Sequence, residues 1–385
     1  MKTIEIKIMH LKKSIEFFEK RRVIIVEDDV TGVSRSILVS PAGTIDQKTT
    51  NIFSSFSGGL VYAALSKERQ NQFQLDLMSD RSALAVNNEF QMCVSVEARE
   101  GVTTGISAAD RTETLNVLGD PEPSPRKLVK PGHIFPVVAQ DGGTLVRPGL
   151  AEAALDLMRY CDAVSAAAFV DILDKNGEFA SKDFIKEFAN QHELPIISIS
   201  ELVRYRLENE VLVERISEAK LPSKIAGNVI ARAYIDKISG SEHIAIISGE
   251  INPEIPVPIR VQRENLIDDL FGGEKSSRQS LQKSLKYMAD FGSGVFVYIA
   301  RPNSLTESDQ SHSEIQNFQA RMLREYGIGA QILREIGVTK ARLLTHTSKN
   351  LVGLKSFGIE IVSQEPIPEL NNSNQKNTES QIEAG

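Results

Sequence analysis

The run from Val102 to Arg111 reads VTTGISAADR. Threonine and serine hydroxyls beside a glycine, with backbone N–H groups freed by the turn, are good ligands for a phosphate. Thr103, Thr104 and Ser107 supply those hydroxyls. The same residues also suit a polar turn that caps the following helix, and spacing alone leaves both readings open. A second candidate group is acidic. The apolar run RVIIV leads into Glu27, Asp28 and Asp29, and Asp28 and Asp29 are candidates for acid–base work.

Strands and helices must carry these groups. Leu11, Ile15 and Phe18 recur at helical spacing, so residues 10–21 are expected as an amphipathic helix. RVIIVEDD, SRSILVSPAG, GGLVYAALS and FQMCVSVEA read as strands, and LAEAALDLMRYCD as a helix. AAAFVDIL is a strand ending in the turn DKNG. SKDFIKEFANQHEL is a helix with Ser181 or Asp183 as N-cap, and PIISIS is a strand. Residues 200–220 read as one long polar helix running into a joint at Leu221-Pro222. Beyond it come the strands GNVIARAYID, EHIAIISGEI and VPIRVQRE, a helix over 278–290 and the strand GVFVYIA. A polar loop (301–313), a helix over 314–325, the helix GIGAQILREIG and the strands ARLLT and IEIVSQE complete the pattern.

The mixed order gives an α+β fold: a mixed-sheet N-terminal domain, then an α/β domain. The boundaries fall as a helical extension (1–21), a first domain (22–206), a linker (207–222), a second domain (223–365) and a polar, disordered tail (366–385). A length of 385 residues suits two cores. The net charge of −7 argues against nonspecific nucleic-acid binding, which depends on neutralising phosphates. No apolar run reaches the roughly 20 residues needed to span a bilayer. The opening MKTIEIKIMHLKKSIEFF is broken by Glu5, Lys7 and His10 and does not read as a signal peptide. Two cysteines, Cys93 and Cys161, suit a reducing cytoplasm, with Cys93 in the core.

The matches GVTTGISAADR, KPGHIFPVVA (Lys130–Ala139) and GGTLVRPGLAEA are long and ungapped. Through them residues 22–206 resemble 3,4-dihydroxy-2-butanone 4-phosphate synthase. That family converts ribulose 5-phosphate to formate and a four-carbon ketose phosphate. The resemblance implies a sugar-phosphate grip at Thr103, Thr104, Ser107, His133 and Arg147, and a proton-transfer carboxylate at Asp171. The family's acidic metal loop corresponds to EDDVTGVSRSIL. Here Asp28 and Asp29 remain, and Val30, Thr31, Val33, Arg35 and Ile37 follow. The family's metal-binding histidine corresponds to Leu150, its threonine neighbour to Ala151, and a further family histidine to Phe56.

Residues 211–365 resemble GTP cyclohydrolase II, through EHIAIISGEI, REYGIGAQILREIGV and RLLTHTSKNLVGLKSFGIEIV. The resemblance implies nucleotide contacts at Arg324, Thr345 and Lys349. The family's three zinc cysteines correspond to Asn265, Ser276 and Arg278, its arginine loop to ARPNSLTES with Arg301, and an aspartate to Met322. His243 and His346 read as surface or packing residues.

The expectation is therefore a riboflavin-biosynthesis-type two-domain protein without the family's magnesium and zinc ligands and with no predicted cofactor. It is expected to be catalytically silent and to bind a phosphorylated sugar or nucleotide or serve as a partner, as a homodimer or a heteromer with an active paralogue. A second expectation is altered, metal-free chemistry using Asp28, Asp29, His133 and Asp171. A third is weak synthase activity with metal held by Asp28, Asp29 and Glu152.

Overall fold

The computed structural model describes residues 2–30, 34–56, 58–78, 91–161, 163, 165–271, 277–300, 312–345 and 357–367. Side chains are described for these except 2–10, 21, 266, 271, 277 and 312–323. Thr31, Val33, Ser276, Arg301, His346, Lys349 and the tail from 368 lie outside the described residues, as does the side chain of Met322. The chain divides into two compact units, Met1–Asn209 with Gln310–Met322, and Glu210–Asp309 with Leu323–Gly385.

In the first unit the elements run α1 (Lys2–Arg21), β1 (Ile24–Glu27), β2 (Ser36–Pro41), α2 (Gln47–Phe56), β3 (Val61–Leu65), α3 (Lys67–Gln72), β4 (Gln91–Met92) and β5 (Val96–Ala98). They continue with α4 (Ala108–Leu118), β6 (Leu128–Val138), α5 (Leu150–Met158), β7 (Ala166–Asp171), α6 (Lys182–His192), β8 (Ile196–Ser198) and α7 (Ile199–Asn209). The sheet order is β4-β6-β3-β7-β2-β1-β8, with β5 paired to β6. The central strands β3 (VYAAL) and β7 (AAAFVD) are buried along their whole length. Strands covered on both faces read as continuous apolar runs, as these do. Phe53 of α2, Leu115 and Leu118 of α4, and Ile185 and Phe188 of α6 join one core with the sheet. Helix α5 lies across β1, β2, β3 and β7. Leu11, Ile15 and Phe18 of α1 are buried, as helical spacing requires.

Beside α5 sits a buried ion pair. Arg206 of α7 donates to Asp156 Oδ2 at 2.9 Å and to the Gly142 carbonyl at 2.7 Å. The Thr144 amide and hydroxyl donate to the same Asp156 oxygen at 2.8 and 2.6 Å. Both side chains are almost wholly buried.

The second unit contains β9 (Val213–Ser223), β10 (Gly227–Asp236), β11 (Glu242–Ser248), β12 (Val257–Arg263), α8 (Leu266–Phe271), α9 (Ser277–Phe291), β13 (Gly294–Ile299), α10 (His312–Ile336, of which residues from Leu323 belong to this unit), β14 (Lys340–Leu344) and β15 (Glu360–Glu365). Its order is β15-β14-β12-β13-β11-β10-β9. The first half of that list pairs in parallel and the β13-β11-β10-β9 half antiparallel. Met288 of α9 packs with Phe296, Leu344 and Ile367. Gly329 of α10 lies against Val261.

Four readings of the sequence change. The polar helix expected over 200–220 stops at Asn209, and Val213–Ser223 is a strand paired with β10. Its alternating charged and small residues face solvent on an edge strand, so no apolar stripe is available to hold a helix. The change of unit after Asn209 leaves no linker over 207–222; most of that stretch is β9. The helices expected at 314–325 and GIGAQILREIG form one helix, because Gly327 and Gly329 weaken a helix without breaking it. FQMCVSVEA is two short strands separated around Cys93, which is fully buried.

Removing Asp156 leaves the Arg206 guanidinium buried without its counter-charge, a loss of about 3–5 kcal/mol. Asp156→Ala is thus expected to lower the urea midpoint of the first unit's unfolding transition, followed by far-UV circular dichroism. An unchanged midpoint would show that the pair contributes little.

Candidate functional site

The first unit gathers its candidate residues at the ends of one sheet. β1 and β8 end, β7 ends and β2 and β3 begin at the same edge, because Glu27 pairs with Ser36, Ile37 with Asp171 and Tyr62 with Phe169. His133 sits beside Ile134, which pairs with Val61 at the start of β3. His133 and Asp171 are therefore at one edge, two strand spacings or roughly 10 Å apart.

The loop before α4 is organised by Asp110. This buried carboxylate accepts the Thr103 amide at 3.1 Å, the Thr103 hydroxyl at 2.9 Å and the Gly105 amide at 2.9 Å. Ser107 caps α4 by accepting the Asp110 amide at 3.1 Å. The capping and the loop readings of the sequence thus coexist in one motif. Thr103, Thr104 and Ser107 are exposed, and Ile106 is exposed between them. Burial works to raise the Asp110 carboxyl, but the hydrogen bonds from Thr103 and Gly105 outweigh it and hold the group below its ordinary value of 3.8.

His133 is placed by Glu97. Its Nδ1 lies 2.7 Å from Glu97 Oε2, and the His133 amide donates to the same oxygen at 3.1 Å. Thr114 donates to Glu97 Oε1 at 2.9 Å. The carboxylate fixes the Nδ1–H tautomer and leaves Nε2 as an acceptor. The His133 side chain is 43% exposed, so it is not a core histidine. Gly105, at φ 82°, lies against this pair: an added Cβ would stand 2.0 Å from Glu97 Oε2 and 2.5 Å from His133 Nδ1. The loop and the dyad are therefore one assembly. Buried Arg111 donates to Ser54 at 2.9 Å beside it.

The acidic candidates are already engaged. Arg35 donates to both oxygens of Asp171, at 2.6 and 2.9 Å, and its guanidinium lies over the Phe179 ring. Both oxygens of Asp171 are thus occupied by one guanidinium. Asp28 accepts the Val30 amide at 2.9 Å. Asp29 accepts the Ser200 amide at 3.0 Å and the Ser200 hydroxyl. Arg147 lies elsewhere: it donates to Glu152 Oε1 at 2.8 Å, and that oxygen also accepts the Gln140 amide, past the far end of β6. From His133 to Val138 is roughly 17 Å of strand. Glu152 is wholly buried, and burial pushes its carboxyl up against the pull of Arg147.

Magnesium needs about six oxygens in a near-ideal octahedron. Asp28 and Asp29 are engaged at one edge, Glu152 is at the other, and Leu150 is a buried helix residue. These residues do not fit the ion. Among the described residues no three His, Cys, Asp or Glu side chains converge.

In the second unit Arg324 donates to buried Asp236 Oδ2 at 2.6 Å. The Thr345 amide donates to the Glu365 carbonyl at 2.9 Å. His243 is buried rather than at the surface. Its Nδ1 accepts the Ala300 amide at 3.1 Å, and burial lowers its pKa. Asn265 donates to Asp268 at 2.6 Å at the start of α8, and Arg278 to the Leu270 carbonyl at 3.2 Å. An amide and a guanidinium where zinc needs thiolate or imidazole do not fit that ion.

Glu97, Asp110, Thr114 and the Arg35–Asp171 pairing escaped the sequence reading. Asp110 had a signal: Ser107 followed three residues later by an acidic residue is a capping pattern. The others are long-range partners with no local signature.

Because the Asp110 carboxyl is depressed in the folded chain, its contribution is complete above pH 3.8 and fades as the pH falls through the lower folded value. The Thr103 and Gly105 amide chemical shifts are expected to titrate together, with a midpoint below 3.8. In Asp110→Asn that transition is expected to vanish. Its persistence in the variant would assign the loop's order to another group.

Comparison with known proteins agrees with this architecture. Residues 12–205 match the 3,4-dihydroxy-2-butanone 4-phosphate synthase family, and residues 214–366 match GTP cyclohydrolase II. The chain is 34% identical to the riboflavin biosynthesis protein RibBA of Aquifex aeolicus, over 94% of this chain and 93% of that one. It is 32% identical to the monofunctional riboflavin biosynthesis protein RIBA 3 of Arabidopsis thaliana, over 93% of this chain and 73% of that one. The crystal structure of RibBX, a two-domain 3,4-dihydroxy-2-butanone 4-phosphate synthase from A. baumannii, superposes with a TM-score of 0.75 at 28% identity, covering 94% of this chain and 100% of that one. A synthase-like α+β unit followed by a cyclohydrolase-like unit thus accounts for nearly the whole chain, which belongs to the two-domain riboflavin biosynthesis family.

Proposed function

We propose that this chain has lost the synthase and cyclohydrolase reactions in their metal-dependent form, and that it binds a phosphorylated sugar or nucleotide or serves as a partner subunit. The carrying observation is the engagement of its carboxylates. Arg35 takes both oxygens of Asp171, and Ser200 takes those of Asp29. The reactions themselves would need a metal to stabilise developing negative charge, a contribution of several kcal/mol. The exposed Thr104 and His133 support a retained phosphate grip. Relatives such as the RIBA 3 named monofunctional and RibBX described as a two-domain synthase support the view that both units can persist when one activity is named. In this reading Arg147 and His133, at opposite ends of one sheet, meet in a shared site only across a homodimer or a heteromer with an active paralogue.

A second reading rests on the Glu97–His133 geometry. With Nδ1–H directed to the carboxylate, His133 Nε2 can take a proton from a carbon beside a carbonyl without metal, and Glu97 stabilises the imidazolium formed. It would act on a phosphorylated sugar held at Thr103 and Thr104.

The relatives' names make retained activity the competing outcome, and formate release separates them. The full chain, with ribulose 5-phosphate and magnesium or with GTP and zinc, is expected to release no formate above background. Ribose 5-phosphate is still expected to bind in calorimetry, about tenfold more weakly after His133→Ala or Thr104→Val. Formate at ordinary enzymatic rates would end the first reading. Failure to bind ribose 5-phosphate would end the phosphate grip.

A further inference from the structure

A cavity of about 470 Å³ opens between the end of α2, the turn after β7 and α6. It is independent of the phosphate loop. Phe184, Glu187, Phe188 and Gln191 line it from one face of α6, at helical spacing. The solvent side of such a helix is ordinarily polar. Here Phe184 and Phe188 lie nearly parallel, 14° apart with centroids at 6.5 Å, and Phe56 meets Phe188 edge-on at 4.7 Å. Phe56 is also where the resembled family carries a histidine.

The polar lining is sparse and specific. Asp174 is spent on its own turn, accepting the Asn176 and Glu178 amides at 2.8 and 3.0 Å. Lys175 is exposed at the mouth and makes no hydrogen bond or ion pair among the described residues. Glu187 accepts only a long 3.4 Å bond from Gln191. A volume of this size with aromatic walls, one open carboxylate and one open ammonium has the character of a small-molecule site.

We propose that this cavity binds a flat nitrogen heteroaromatic ring bearing an anionic group, as in a nucleoside monophosphate. The ring stacks on the face of Phe184, with Phe56 standing across it edge-on, both arrangements that aromatic rings favour. Ring or exocyclic N–H groups donate to Glu187, with Gln191 beside it, and the anionic group reaches Lys175.

Calorimetry on the full chain tests this, with AMP, adenosine and ribose 5-phosphate as probes. AMP is expected to bind with one-to-one stoichiometry. Its Kd should rise about tenfold in Phe184→Ser, and about fivefold in Lys175→Ala and in Glu187→Gln. Adenosine should be insensitive to Lys175→Ala, and the melting temperatures of Lys175→Ala and Glu187→Gln should match the parent, since both side chains are exposed. Absence of saturable AMP binding would overturn the proposal. So would AMP binding that ribose 5-phosphate displaces and that all three variants leave unchanged, since that pattern belongs to the phosphate loop.

Discussion

One buried ion pair holds together the end of the first sheet. Arg35, just before β2, takes both oxygens of Asp171 at the end of β7, with side chains 8% and 11% exposed. The two strands are antiparallel neighbours, and Ile37 pairs with Asp171, so the ion pair ties them together at the sheet edge. Phe179 lies over the guanidinium at 5.2 Å and shields it. A pair this buried is costly to open from one side, because the remaining charge would be left without compensation. Asp171 is thereby part of the scaffold of this sheet.

A second polar assembly lies along the same edge, at the loop before α4. That assembly is built without the Arg35–Asp171 pair. Asp110 gathers the loop amides, Thr114 donates to Glu97, and Glu97 orients His133. Gly105, packed against Glu97 and His133, couples the loop to the dyad. Such a preorganised arrangement holds its hydrogen-bonding groups in place before any ligand arrives. The half-exposed His133 ring and the exposed Thr104 are the parts left open to solvent.

In the second unit the same saturation recurs with different residues. Asp236 accepts Arg324, Ser239 and the Ile238 amide, and Asp269 accepts Tyr298 and Gln262. Among the described residues, the buried Nε2 of His243 has no hydrogen-bond partner. Polar groups that satisfy one another give a rigid, specified interior, and they leave few free ligands for an ion.

Local pattern carried much of this protein. Apolar spacing placed the helix through Leu11, Ile15 and Phe18. Alanine-rich and β-branched runs placed β3 and β7, and Ser181 capped α6 as its type requires. The GTTG-like loop, the α+β class and the two-unit order were legible for the same reason: each is written in residues adjacent along the chain. The strand at Val213–Ser223 was not, because an edge strand exposed on both faces has no periodic apolar signal and takes its conformation from pairing with β10. Nor were the partners of the candidate site. Glu97 and His133 are 36 residues apart and Arg35 and Asp171 are 136 apart, and such contacts exist only after the sheet forms. The sequence by itself determined which side chains were available. Only the tertiary structure decided which of the available ones were free, because a carboxylate's reactivity depends on the cations and N–H groups folding brings to it.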